Sequence, residues 1–93
     1  MLVGICYLEI YLTEGGSLKE KRQVIKSIIE RLRNKFNISI AEIGCQDNIR
    51  KAEIGFSAVS NESAHLDSLM EKAINFIDQN GKVEIVNINR EII

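Results

Sequence analysis

The chain predicts an α+β domain in which four strands form one antiparallel sheet and two helices cover one of its faces. Three observations carry this reading. Residues 17–36 and 66–77 repeat apolar side chains at spacings of three and four, as helices buried along one stripe require. Residues 51–60 alternate strictly between apolar and polar, which a strand with one buried and one wet face requires. The connections are short and rich in Gly and Asn, and the 93 residues contain no proline, so the elements are joined by tight turns rather than long loops.

Residues 1–12 open the chain as an extended apolar run with β-branched and aromatic side chains and no helical period. Leu2, Gly4, Cys6, Leu8, Ile10 and Leu12 share a face without charge, and Val3, Ile5, Tyr7, Glu9 and Tyr11 share the other. A strand apolar on both sides belongs in the middle of a sheet.

Gly15 and Gly16 free the backbone for a turn, and Ser17 with Glu20 forms an S-x-x-E capping box that starts the first helix. Leu18, Ile25, Ile28, Ile29, Leu32 and Phe36 fall on its core side, and Ile25, Ile28, Ile29 and Leu32 are predicted to meet Ile54, Phe56 and the even-numbered face of the first strand. Lys19, Arg22, Lys26 and Arg33 gather along one edge of the same helix, with Glu30 set to pair with Lys26. Seven basic residues against Glu20 and Glu30 put residues 17–36 at +5, so the rest of the chain carries −6 of the formal −1. The charge is segregated.

From Asn37 the pattern changes to period two. Ile38 and Ile40 have one parity and Ile43 the other, so the second strand switches its inward face at a bulge near Ala41 and Glu42. Gln46, Asp47, Asn48 and Arg50 form a hairpin tip, a self-bonded turn or a recognition loop. In the third strand Ala52, Ile54, Phe56 and Ala58 point inward. Ser60 or Asn61 caps a second helix built on Leu66, Leu69, Met70, Ala73, Ile74 and Ile77, and Asn80-Gly81 ends it with Gly81 suited to a left-handed position. Residues 82–90 form the last strand. Its register stays open, because Val83 and Ile85 differ in parity from Val86 and Ile88. The order βαββαβ, with helices able to cover one face only, is the ferredoxin-like arrangement, and residues 1–93 make a single domain.

The stretches MLVGICYLEIYL, SLKEKRQVIKSIIERLRNKFNISIAEIGCQD and KAEIGFSAVSN carry a resemblance to the YlxP-like family of small bacterial proteins, through SLKEKR (17–22), FNISIAEIG (36–44) and Gln46-Asp47. The resemblance spans the chain. It implies a ferredoxin-like fold and work around the ribosome, since genes of this family lie among translation genes near that for ribosome-binding factor A. It brings no catalytic residues.

Function classes narrow accordingly. A hydrophobic content of 45% and a charged content of 27% suit an ordinary folded domain, without a membrane-spanning run or a leader, and point to the cytoplasm. Cys6 and Cys45 lack metal or redox spacing and read as reduced strand residues, and the lone His65 reads as a surface helix residue. An acylphosphatase-like enzyme would need an arginine in the glycine-bearing loop 13–16, where there is none. The Lys19, Arg22, Lys26 and Arg33 stripe reads first as a solvated face and second as a phosphate rail, to which the resemblance adds weight. The open sheet face has Tyr7 and Tyr11 but no aromatic on the third strand, so it suits self-association through Ile5, Tyr7 and Tyr11, with Val83 or Ile85, better than base stacking. The expectation is a non-catalytic protein that binds ribosomal RNA or a ribosomal precursor, needs no cofactor or metal and self-associates. An oligomeric protein-interaction module is the alternative, and a small-molecule enzyme comes third.

Overall fold

The computed structural model describes Met1–Ile93. Its elements are β1 (Leu2–Leu12), α1 (Leu18–Lys35), β2 (Ser39–Gly44), β3 (Lys51–Ser60), α2 (Ser63–Asp78) and β4 (Val83–Ile92). The four strands form one antiparallel sheet in the order β2-β3-β1-β4, the ferredoxin-like topology. β1 is central, as its two apolar faces require, and its even-numbered residues Cys6, Leu8, Ile10 and Leu12 are buried beneath the helices. No helix is long and apolar enough to cross a membrane.

α1 begins where the sequence places it. The Ser17 hydroxyl accepts the Glu20 N–H at 3.1 Å, but the Glu20 carboxylate accepts from Gly16 N–H at 3.3 Å, so the box is shifted outward by one residue. Gly15 supplies the turn with φ 110°, a left-handed conformation that costs a glycine little. Ile25, Ile28 and Leu32 are buried with Ile54, Phe56 and β1 in one core, and Ile29 packs at its margin. At the other end Lys35 holds its ammonium 5.0 Å from the Phe76 ring centroid, tying the last turn of α1 to α2.

α2 buries Leu66, Met70, Ala73, Ile74 and Ile77. Its ends depart from the expected chemistry. Glu62 is the N-cap and makes no side-chain cap bond, while the Ser60 hydroxyl accepts from Glu62 N–H. Gly81 is not left-handed; the Asn80 side chain closes that turn instead by accepting from Lys82 N–H at 3.0 Å. The left-handed non-glycine residue is Cys45, at φ 58° between β2 and β3.

Both edge strands carry bulges. In β2 the register slips between Glu42 and Gly44, so the extra residue is Ile43, one to two positions beyond the expected site. The inward face does not pass to Ile43. Glu42 keeps the parity of Ile40, while Ile43 lies over Gly55 on the open face, where a Cβ on Gly55 would meet Ile43 Cδ1 at 3.0 Å. In β4 the slip falls between the partners of Glu9 and Ile10 and leaves Val86 over, which reconciles its two parities. Val83 is buried and Ile85 packs against the core, so neither belongs to the open face as the sequence suggested.

Candidate nucleic-acid interface

The wheel of α1 sets Ile25, Ile28 and Leu32 inward and turns the flank bearing Lys19, Arg22, Lys26 and Arg33 outward, beside the edge strand β2. All four cations are exposed, and none forms an ion pair. The expected Lys26–Glu30 pair is absent. Arg22, Lys26 and Arg33 line a shallow groove with Ile25, Ile29, Glu30 and Glu42, whereas Lys19 stands outside it, nearer the start of α1. From Lys19 to Arg33 the helix rises about 21 Å.

The strand side of this groove is chemically one-sided. In an antiparallel ladder alternate residues point both peptide groups at one neighbour, and on β2 those of Ile40 and Glu42 point away from β3. Each of these outward carbonyls is occupied. Arg33 donates to Ile40 O at 3.2 Å, and the Gln46 amide donates to Glu42 O at 3.4 Å. What the edge offers to a ligand is therefore N–H groups beside three guanidinium and ammonium groups.

Beneath the groove lies a pair that the pattern of charges conceals. Lys21 is 1% exposed and its ammonium sits 2.9 Å from Glu42 Oε2, while also donating to Cys45 O at 2.7 Å. The helix thus spends one of its seven cations inside, and Glu42 is neutralised from below rather than by the groove. The signal was positional: Lys21 opens the 21-25-28-32 spacing of the core stripe, and Glu42 continues the parity of Ile38 and Ile40.

The hairpin tip splits by role. Asn48 Oδ1 accepts from Arg50 N–H at 2.8 Å and Lys51 N–H at 2.9 Å, so Asn48, like Gln46, serves its own turn. Asp47 and the Arg50 side chain are exposed and unbonded. Thus two of the four candidate residues in that loop, Asp47 and Arg50, have side chains free for contact.

The open sheet face has the opposite sign. Glu9 and Glu53 are direct cross-strand partners, and the register sets Glu84 and Glu91 on the same face, with Lys51 3.3 Å from Glu9 as the counter-charge. Ile5 and Tyr11 are exposed and Tyr7 is half-buried beside these carboxylates. Burial, then Glu53 and Glu9, raises the Tyr7 phenol, and the hydrogen bond to Glu9 raises Lys51. The sheet face and the α1 flank therefore carry charge of opposite sign.

Cys45 donates its thiol to Glu53 Oε1 at 3.3 Å, and this bond, followed by burial, raises its pKa. Burial pushes Cys6 up to about 11. Because the thiolate is the nucleophile, Cys45 is expected to alkylate more slowly at pH 8 than an unperturbed cysteine, and to speed up in Glu53→Gln as the facing charge is removed. Iodoacetamide labelling followed by mass spectrometry reads both rates; equal rates would remove Glu53 as the cause.

A second, wider cleft of about 690 Å³ opens between α1 and the end of α2. Only two of its twelve lining residues, Val24 and Phe76, are hydrophobic, while Arg31, Lys82, Glu14 and Glu20 supply both signs of charge. Small-molecule sites are mainly apolar with a few converging polar groups, a composition this cleft lacks. His65 lies exposed on α2 and does not line the groove.

Residues 3–90 match the model of a family described as a protein of unknown function, DUF503. The uncharacterized protein YlxP of Bacillus subtilis (strain 168) is 39% identical over 83 residues, covering 89% of this chain and 90% of the relative. Among solved structures, the de novo designed protein Foldit4 superposes with a TM-score of 0.56 at 13% identity, over 98% of this chain and 96% of its own, a likeness of fold alone. A dimeric ferredoxin-like protein from an uncultured marine organism gives 0.48 at 7% identity over 100% and 96%.

Proposed function

The chain belongs to the DUF503 family of proteins of unknown function, and from that premise we propose that it binds the phosphate backbone of ribosomal RNA, or of a ribosomal precursor, through α1 and the edge of β2 without catalysing a reaction. The observation that carries this reading is the set of four exposed, unpaired cations, Lys19, Arg22, Lys26 and Arg33, beside a strand edge whose outward carbonyls are already bonded. Phosphate oxygens accept and do not donate, so a surface of cations and spare N–H groups suits them. The acidic sheet confines a polyanion to that flank. The translation-gene setting implied by the family resemblance agrees in kind. A protein partner docking on Ile5 and Tyr11 is the second reading, supported by the exposure of both.

Fluorescence anisotropy with a single-stranded RNA oligonucleotide tests the proposal. Four phosphate contacts should give a slope of log affinity on log salt of about −3, from roughly −0.7 per contact. Arg22→Glu with Lys26→Glu should abolish RNA binding and sedimentation with ribosomal particles while the thermal midpoint barely moves, since both side chains lie outside the core. Particle association that survives the double reversal, or is undiminished in high salt, would overturn the phosphate reading and favour a protein contact on the sheet.

A further inference from the structure

The two edges of the sheet are finished differently. On β2 the outward carbonyls of Ile40 and Glu42 are each bonded by a side chain, and α1 lies alongside. β4 has no such cover. Val3 and Ile93 exchange both of their backbone hydrogen bonds at 2.9 Å, and alternation along the ladder then turns the peptide groups of Ile92, Arg90 and Ile88 away from β1. No turn or side chain takes those groups.

Exposed edges are normally blunted by lysine, proline or an outward charge. Val83–Ile92 contains neither lysine nor proline. The one charged residue among the three outward positions, Arg90, is folded back onto α2, where it donates to Glu71 Oε2 at 2.9 Å and to Asp67 O and Oδ1 at 3.3 Å. Around this edge Val86, Ile88 and Ile93 are exposed, at 46%, 43% and 61%. The Val86 bulge marks where the regular stretch begins, so residues 87–93 form its unguarded length.

We propose that the β4 edge is a homodimer interface, with a second copy of this chain pairing antiparallel on it to make a continuous eight-stranded sheet. The occupant follows from self-complementarity. Three outward residues at i, i+2 and i+4 are all satisfied by an identical strand only when the two-fold axis passes through Arg90, which sets Ile88 opposite the partner's Ile92. That register also brings the two arginines together. Each chain supplies two carboxylates, Asp67 and Glu71, for its single Arg90, so the joined strands hold the charge balance that side-by-side guanidinium groups need. Stacking two open sheet faces instead would oppose Glu9, Glu53, Glu84 and Glu91 with the same acids of the other copy.

Sedimentation equilibrium at high micromolar concentration should give twice the 10.5 kDa chain mass. Ile88→Pro removes an N–H that points away from β1 and replaces a side chain that is 43% exposed, and proline is tolerated on such an edge, so this variant should be monomeric with unchanged circular dichroism. Ile88→Lys should also be monomeric, and it decides the matter if the proline variant fails to fold. Amide exchange gives a readout without mutation: the N–H groups of Ile88, Arg90 and Ile92 should gain protection as concentration rises. A wild-type monomer, or fast exchange of those amides at every concentration, would overturn the proposal. So would a dimer that survives both Ile88 variants but is lost in Tyr11→Glu.

Discussion

Leu32→Ala is expected to lower the unfolding free energy by about 2–5 kcal/mol, the range for removing a buried aliphatic side chain and leaving a cavity. Leu32 is 0% exposed and stands where the core stripe of α1 meets the sheet. Its loss affects both, since nothing nearby is free to fill the gap in a core made of packed strands and two helices. Small domains have only about 5–15 kcal/mol in total, so the denaturant midpoint should fall sharply. Ile29→Ala, at the margin of the same core, should cost less. An unchanged midpoint for Leu32→Ala would mean that another face of the helix is buried.

Lys21→Met is expected to destabilise by about 3 kcal/mol, at the lower end of the range for breaking a buried ion pair because Glu42 retains some contact with water. The variant keeps most of the volume of the side chain and removes its charge. Glu42 is left without its counter-ion, and Cys45 O without its donor, at a residue already held left-handed at φ 58°. Adding Glu42→Leu should restore most of the loss, because a buried pair replaced by apolar side chains of similar size is often neutral or better. Chemical denaturation of the two single variants and the double gives the coupling directly. If Lys21→Met alone were neutral, the pair would be solvated rather than buried beneath the groove.

How much of this was legible in the sequence depended on whether a signal was periodic or local. α1 and α2 were readable because burial of one stripe demands a repeat that no other arrangement of Leu, Ile and Met imitates, and β3 because strict alternation has one cause. The bulge in β2 announced itself as a conflict of parity, but its position did not. Nothing in the letters says that Ile43 rather than a neighbour is the extra residue, because that depends on Gly55 leaving room across the sheet. The capping chemistry of α2 failed for a related reason: Ser60, Asn61 and Glu62 all offer oxygens, and the angle at which β3 delivers the chain selects among them. In the candidate site, the exposed cations were evident from their spacing. That Arg33 bonds Ile40 O, and that Lys21 turns inward, required the distance between a helix and a strand edge, which sequence does not contain.

The central place of β1 has a consequence for how the chain acquires its structure over time. β1 is synthesised before either of its neighbours, β3 at Lys51–Ser60 and β4 at Val83–Ile92. No stretch lacking the last ten-residue strand contains both partners, so the nascent sheet keeps one side of its middle strand unpaired until translation has passed residue 92. Each pairing also closes a long loop before any contact rewards it, a topology that slows folding relative to local hairpins. The helix α1, by contrast, is capped and complete within its own residues. Local order therefore comes early, and the cooperative step waits for the strand that arrives last.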